Sequence, residues 1–64
     1  MLKVVEVLAE SPDSWEDAAN NAVEEANKTL KNIRSIYIKN AEAAVRDGEI
    51  ATYRVNAKIS FILE

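Results

Sequence analysis

The chain has 64 residues, no cysteine, no histidine and a net charge of −3 from eight basic and eleven acidic residues. The absence of cysteine excludes disulfides and catalysis by a cysteine nucleophile, and the absence of histidine excludes catalysis by a serine–histidine pair. Together these absences remove the commonest zinc ligands. The acidic balance disfavours nucleic-acid binding, because neutralising phosphates requires a basic surface. A domain this short buries only about 60 % of its unfolded surface. We therefore expect one domain, residues 1–64, that gains stability from partner subunits.

The chain shows no sequence pattern for membrane insertion or export. No apolar run approaches the roughly 20 residues that a membrane-spanning helix needs. The first residues, MLKVVE, place an acid inside the apolar stretch that a signal peptide would require. These features predict a cytoplasmic protein that does not bind a membrane.

The first half of the sequence predicts a strand followed by a helix. Residues 2–9 are rich in β-branched residues, which favour a strand. Ser14 is a good N-cap, with Asp17 three residues later as in a capping box, and Lys28 and Lys31 fit the last turn. Apolar residues at helical spacing form one stripe: Trp15, Ala18, Ala19, Ala22, Val23, Ala26 and Leu30. This mostly alanine stripe predicts close packing on a sheet, with Trp15 as a core anchor.

The second half predicts two strands joined by a hairpin. Residues 33–46 favour a strand that is bent or irregular near the alanines at 41, 43 and 44, and Asp47-Gly48 is a strong turn signal. From Tyr53 onward apolar and polar residues alternate strictly. The sequence thus predicts an α+β fold of order β-α-β-β, in which a three-stranded antiparallel sheet packs around one helix. The other sheet face lacks cover, which favours burial against a second copy.

No constellation of residues indicates catalysis. The acidic pairs Glu24/Glu25 and Asp47/Glu49 are typical of a solvated helix surface and a turn. A single glycine excludes the phosphate-binding loops, and no EF-hand spacing is present. We predict a protein that is not an enzyme, with no catalytic residues and no assigned metal site.

Arg34 and Arg54 are the candidate binding residues. Each lies in a predicted strand beside apolar residues, where an unpaired buried cation would be costly. One interpretation is a surface or inter-subunit salt bridge, and the other is a ligand contact, since guanidinium groups stack on aromatic rings and bind phosphate. A two-residue Asp47-Gly48 turn would place Arg34 opposite Phe61, whereas a one-residue bulge would put Arg34 on the same face as Arg54.

The sequence closely resembles the dodecin family. The segment SPDSWEDAA at residues 11–19, followed by NAV at 21–23, is similar to the start of the dodecin helix. LKNIR at 30–34, Asp47-Gly48, YRV at 53–55 and SF at 60–61 match at ungapped spacing, so that the resemblance spans the chain. It implies a sheet wrapped around the helix, twelve subunits in a hollow homododecamer, and the binding, storage or sequestration of flavin.

The resemblance also implies a departure at the ligand site. It places Arg34 at the position of the tryptophan that stacks on flavin. It places Arg54 at the position of the glutamine that hydrogen-bonds the flavin ring. The chain thus resembles a branch of the family that has arginine at both positions. The expected ligand is riboflavin, FMN or FAD. The alternatives are another anionic cofactor such as coenzyme A, a divalent cation, or an interaction or regulatory module without a small-molecule ligand.

Overall fold

The computed structural model describes residues 1–63 and has the predicted order of elements. Strand β1 spans Leu2–Ser11, helix α1 Trp15–Ala26, strand β2 Ile33–Arg46 and strand β3 Glu49–Ile62. The three strands form one antiparallel sheet in the order β1-β3-β2, and the helix packs on one face of it. The predicted α+β class and topology are confirmed. Within residues 1–63, no helix is long and apolar enough to cross a membrane.

A short polar network fixes the start of α1. Ser14 has an extended backbone, and its hydroxyl accepts a hydrogen bond from the Asp17 N–H at 2.9 Å, as predicted for an N-cap. The Asp17 carboxylate accepts a 2.6 Å hydrogen bond from the buried Ser11 hydroxyl, which itself accepts from the Asp13 N–H. The network therefore joins the end of β1 to the first turn of the helix.

The helix is shorter than the sequence pattern predicts. It ends at Ala26 with Asn27 as its C-cap, so Lys28 and Lys31 lie beyond its last turn. Lys28 instead pairs with Glu25, with 2.8 Å between Nζ and the carboxylate. The apolar spacing continues to Leu30, which packs on the core from the turn rather than from the helix.

The β2–β3 hairpin has a two-residue turn and three irregularities. Asp47 and Gly48 both have positive φ angles, 53° and 76°, as a type I′ turn requires. Arg46 pairs with Glu49, and shifts in register then follow along the ladder. The residues left over at these shifts are Arg34, Lys39 and Ala51. Such bulges bend and twist the strands, which fits the irregularity expected near the alanines.

The core lies between α1 and the faces of β1 and β3 that meet it. The fully or nearly buried apolar residues are Ala18, Ala22, Ala26, Val55, Ala57, Ile59 and Phe61. The alternation in β3 therefore predicted its buried face correctly. Small helix residues let the strand backbone approach closely, and the sheet supplies the bulky side chains.

Trp15 is not the core anchor that the helical stripe predicts. Its side chain is 43 % exposed and meets Tyr53 edge-on, with ring centroids 4.7 Å apart. The indole N–H donates a 3.1 Å hydrogen bond to the carbonyl oxygen of Glu42 in β2. At the first helical position the ring lies at the rim of the packed face, where it clamps the helix start to the sheet.

Candidate functional site

The sheet face turned away from the helix, here called the open face, carries the site. Four of its apolar side chains are more than half exposed: Leu2, Val4, Leu8 and Tyr37. Between them the strand register aligns rows of charged residues across the sheet. The open face thus combines unburied apolar surface with ordered charge, which is typical of a surface that meets a partner or a ligand.

One charged row crosses all three strands at Arg54. The register places Arg54 of β3 opposite Glu10 of β1 on one side and Glu42 of β2 on the other. The Arg54 Nε–H donates to the Glu10 carboxylate at 2.8 Å, and one terminal nitrogen lies 3.8 Å from the Glu42 carboxylate. Two carboxylates flank one guanidinium, so the row carries a formal charge of −1.

A groove of about 550 Å³ lies along this row. Its lining contains five polar residues, Glu10, Asn40, Glu42, Arg54 and Asn56, and three apolar ones, Leu8, Ala9 and Val55. Small-molecule sites usually occupy roughly 300–1,000 Å³ and combine apolar walls with a few polar groups. The groove therefore has the size and chemistry to hold an organic ligand of moderate size.

Asn56 is the polar residue at the floor of this groove. Its Oδ1 atom is buried and has no hydrogen-bond partner within residues 1–63. Asn40 lies directly opposite in the register and lines the same groove. A buried oxygen without a partner is costly, so a donor that reached Asn56 Oδ1 on rearrangement would gain a favourable hydrogen bond.

A second charged row lies next to the groove at Glu6. The Lys39 ammonium is 3.3 Å from the Glu6 carboxylate, and Glu6 pairs in register with Lys58. The hydrogen bond from Lys39, followed by one from Asn56, holds the pKa of Glu6 below its ordinary value. Lys39 reaches Glu6 across β3 from its position as a bulge residue.

We expect Lys39→Ala to raise the pKa of Glu6 towards that of a free glutamate, because the largest stabilising partner of its carboxylate is lost. Because the pKa of Glu6 is lower in the folded protein than in the unfolded chain, ionised Glu6 stabilises the fold at pH values above the ordinary pKa of glutamate. This stabilisation is lost as the pH falls through the lowered pKa. NMR titration of the Glu6 carboxyl carbon measures the shift, with Lys31→Ala as the control. An unchanged Glu6 titration in Lys39→Ala would contradict this assignment.

The two predicted binding residues lie apart within one subunit. Arg54 is on the open face, but Arg34 is the bulge residue between the pairs Ile33–Phe61 and Ser35–Ser60. Six positions of β3 separate Ser60 from Arg54, or roughly 20 Å at about 3.3 Å per residue. Arg34 therefore follows neither predicted register. It does not lie opposite Phe61, because Ile33 occupies that position, and it is itself the extra residue at the bulge.

Sequence reasoning missed most of the groove. The alternation in β3 already put Asn56 on the same face as Arg54. Glu10 and Glu42 join Arg54 only through pairing across strands, and the bulges that set this register have no clear sequence signal. Leu8 was expected in a strand, but its place on the open face follows from the same pairing.

A β-α-β-β subunit with a ligand-sized groove on its open sheet face defines a small binding protein. The comparisons agree with this class: the Dodecin family model matches residues 1–64. The calcium dodecin of Mycobacterium tuberculosis is 36 % identical over 59 residues, which cover 92 % of this chain and 83 % of that protein. The chain belongs to the dodecin family.

Solved structures show the same fold. The dodecin from Streptomyces coelicolor superposes with a TM-score of 0.95 at 33 % identity, covering all of this chain and 91 % of the other. The structure of the M. tuberculosis calcium dodecin, described as a calcium-chelating antigen with a novel calcium-binding site, gives a TM-score of 0.85 at 35 % identity and the same coverage.

Proposed function

We propose that this chain is a non-catalytic subunit of a cytoplasmic homododecameric shell that binds and stores or sequesters a flavin: riboflavin, FMN or FAD. The observation that carries the proposal is the groove beside Arg54, which combines ligand size, an apolar wall and a planar guanidinium. Arginine stacks on aromatic rings as well as pairing with acids. A flat heteroaromatic ring is therefore a suitable occupant of this groove.

The proposed assembly is supported by the open face itself. Leu2, Val4, Leu8 and Tyr37 leave apolar surface uncovered on a chain of only 64 residues. Burying such surface against other copies would supply the stability that a short chain lacks. The resemblance to dodecins supports an assembly of twelve subunits.

Arg34 has a different part in the proposal. Because it lies roughly 20 Å from Arg54 along the sheet at about 3.3 Å per residue, Arg34 reaches a ligand in this groove only from a neighbouring subunit. We assign it to the flavin site because the resemblance to dodecins gives Arg34 the position of the flavin-stacking tryptophan. Assembly and ligand binding should then depend on each other.

Fluorescence titration tests the flavin proposal. We expect riboflavin fluorescence to be quenched by the assembled protein, since stacking and exclusion of water alter the excited ring. Arg54→Ala should weaken binding at least fivefold, consistent with about 1–3 kcal/mol for loss of a stacking contact. Arg46→Ala, an exposed arginine near the hairpin turn, is the matched control. The absence of quenching by riboflavin and FMN at high micromolar protein would overturn the proposal.

The divalent-cation alternative has its own support, since a relative 36 % identical is named a calcium dodecin. Within residues 1–63, no three acidic side chains of one subunit lie close enough to hold a metal ion. A Ca²⁺ site with three or more carboxylate ligands would therefore need side chains from more than one subunit. Calorimetric titration of the assembled protein with Ca²⁺ tests this alternative, and coenzyme A as a competitor of riboflavin tests the other anionic ligand.

A further inference from the structure

We propose that Glu10 and Glu42 are specificity-determining residues that make the groove select an uncharged ring ligand, such as riboflavin, over its phosphorylated forms. The inference rests on the proposed flavin function and deepens it. It also departs from one interpretation of the sequence, in which Arg54 binds the phosphate of a ligand. The reason lies in what Arg54 already contacts.

Arg54 is occupied by carboxylates on both sides. Its Nε–H donates to Glu10 at 2.8 Å, and a terminal nitrogen lies 3.8 Å from Glu42. Strand pairing fixes all three residues in one row, so the two acids are positioned by the backbone of β1 and β2. A phosphate that approached the Nε edge of the guanidinium would have to displace Glu10, and one that approached the terminal nitrogens would lie close to the Glu42 carboxylate.

The charge of the row works against an anion as well. Two carboxylates and one guanidinium leave −1 beside the groove, and a phosphate monoester brings about −1.5 to −2 at neutral pH. The neighbouring row contains two cations, Lys39 and Lys58, with Glu6. It lies four residues along β1 and β3, or roughly 13 Å at about 3.3 Å per residue. At Arg54 itself these cations are largely screened at physiological ionic strength, where the Debye length is about 8 Å, although they lie closer to the Asn40–Asn56 end of the groove.

The remaining polar groups of the groove favour hydrogen-bond donors. Glu10 and Glu42 are acceptors only, and Asn56 would add its buried Oδ1 atom as a further acceptor on rearrangement. A flavin ring carries an imide N–H that can donate to such an acceptor. Riboflavin and FMN share this ring contact, so the phosphate alone distinguishes the two ligands at the groove.

The experiment compares riboflavin with FMN, since the two differ by one phosphate. We expect the wild-type protein to bind riboflavin at least fivefold more tightly than FMN at physiological ionic strength. The double variant Glu10→Gln/Glu42→Gln keeps the shape of both side chains, removes their charge and weakens their contacts with Arg54. It should lower this ratio about tenfold or reverse it. Glu25→Gln, on the exposed helix surface, is the matched control and should leave the ratio unchanged.

A second measurement needs only the wild-type protein. If the groove repels phosphate, added salt should tighten FMN binding and leave riboflavin binding nearly constant. FMN binding that weakens with salt, an FMN preference in the wild type, or a ratio unaffected by the double variant would each overturn the inference. These outcomes still require flavin binding, whereas a failure of the proposed function appears as no binding of either flavin.

Discussion

Replacing Ile59 by alanine is expected to lower the free energy of unfolding by about 2–5 kcal/mol, the usual cost of a large-to-small change in a core. Ile59 is fully buried and forms the core cluster with Ala22 and Ala26 of the helix. Alanine neighbours cannot move in to refill the space, so a cavity should remain. A domain of this size has a total stability of roughly 3–10 kcal/mol at about 0.05–0.15 kcal/mol per residue.

The matched control for this change is Ile50→Ala. Ile50 lies in the same strand but is about half exposed in the subunit, so its truncation should cost well under half as much. Denaturant unfolding followed by circular dichroism measures both variants. If Ile50 lies between subunits, the stability lost in Ile50→Ala will depend on protein concentration. This dependence distinguishes an effect on the contact between subunits from an effect on the core. Equal, concentration-independent losses in the two variants would contradict the assignment of the core to the helix face of β3.

The fold was predictable because local signals agreed with one another. The N-cap at Ser14, the alanine stripe, the Asp47-Gly48 turn and the alternation in β3 each specify one element or one boundary. The same local logic misplaced Trp15, because a helical stripe shows which face is apolar but not how far the sheet extends beneath it. The helix end was predicted too late for a related reason: Leu30 keeps the spacing although it lies in the turn.

The groove could be predicted only in part, because it depends on contacts between distant strands. Arg54 was singled out as a strand cation beside apolar residues, and its face followed from alternation. Its partner Glu10 lies 44 residues earlier in the chain, and its partner Glu42 lies 12 residues earlier. Bulges at Arg34, Lys39 and Ala51 decide which residues of β2 meet β3. A one-residue slip would exchange the faces of the whole segment.

Introducing a charge at Leu8 is expected to dissociate the assembly. Leu8 is 78 % exposed in the isolated subunit and lies on the open face that we propose to be buried between copies. Leu8→Asp would place a carboxylate in that contact, where an unpaired charge costs several kcal/mol or prevents burial. Light scattering after size exclusion should then show a mass falling towards that of the 7.1 kDa chain.

Asn20→Asp adds the same charge on the exposed surface of the helix and should leave the assembled mass unchanged. Because a chain of 64 residues has little stability of its own, dissociation of Leu8→Asp should also make its unfolding midpoint lower than that of Asn20→Asp. Riboflavin binding should fall with the assembled fraction if the site draws Arg34 from a neighbouring subunit. A fully assembled Leu8→Asp protein would instead show that the open face is not the contact between copies, and that its apolar residues serve the ligand groove alone.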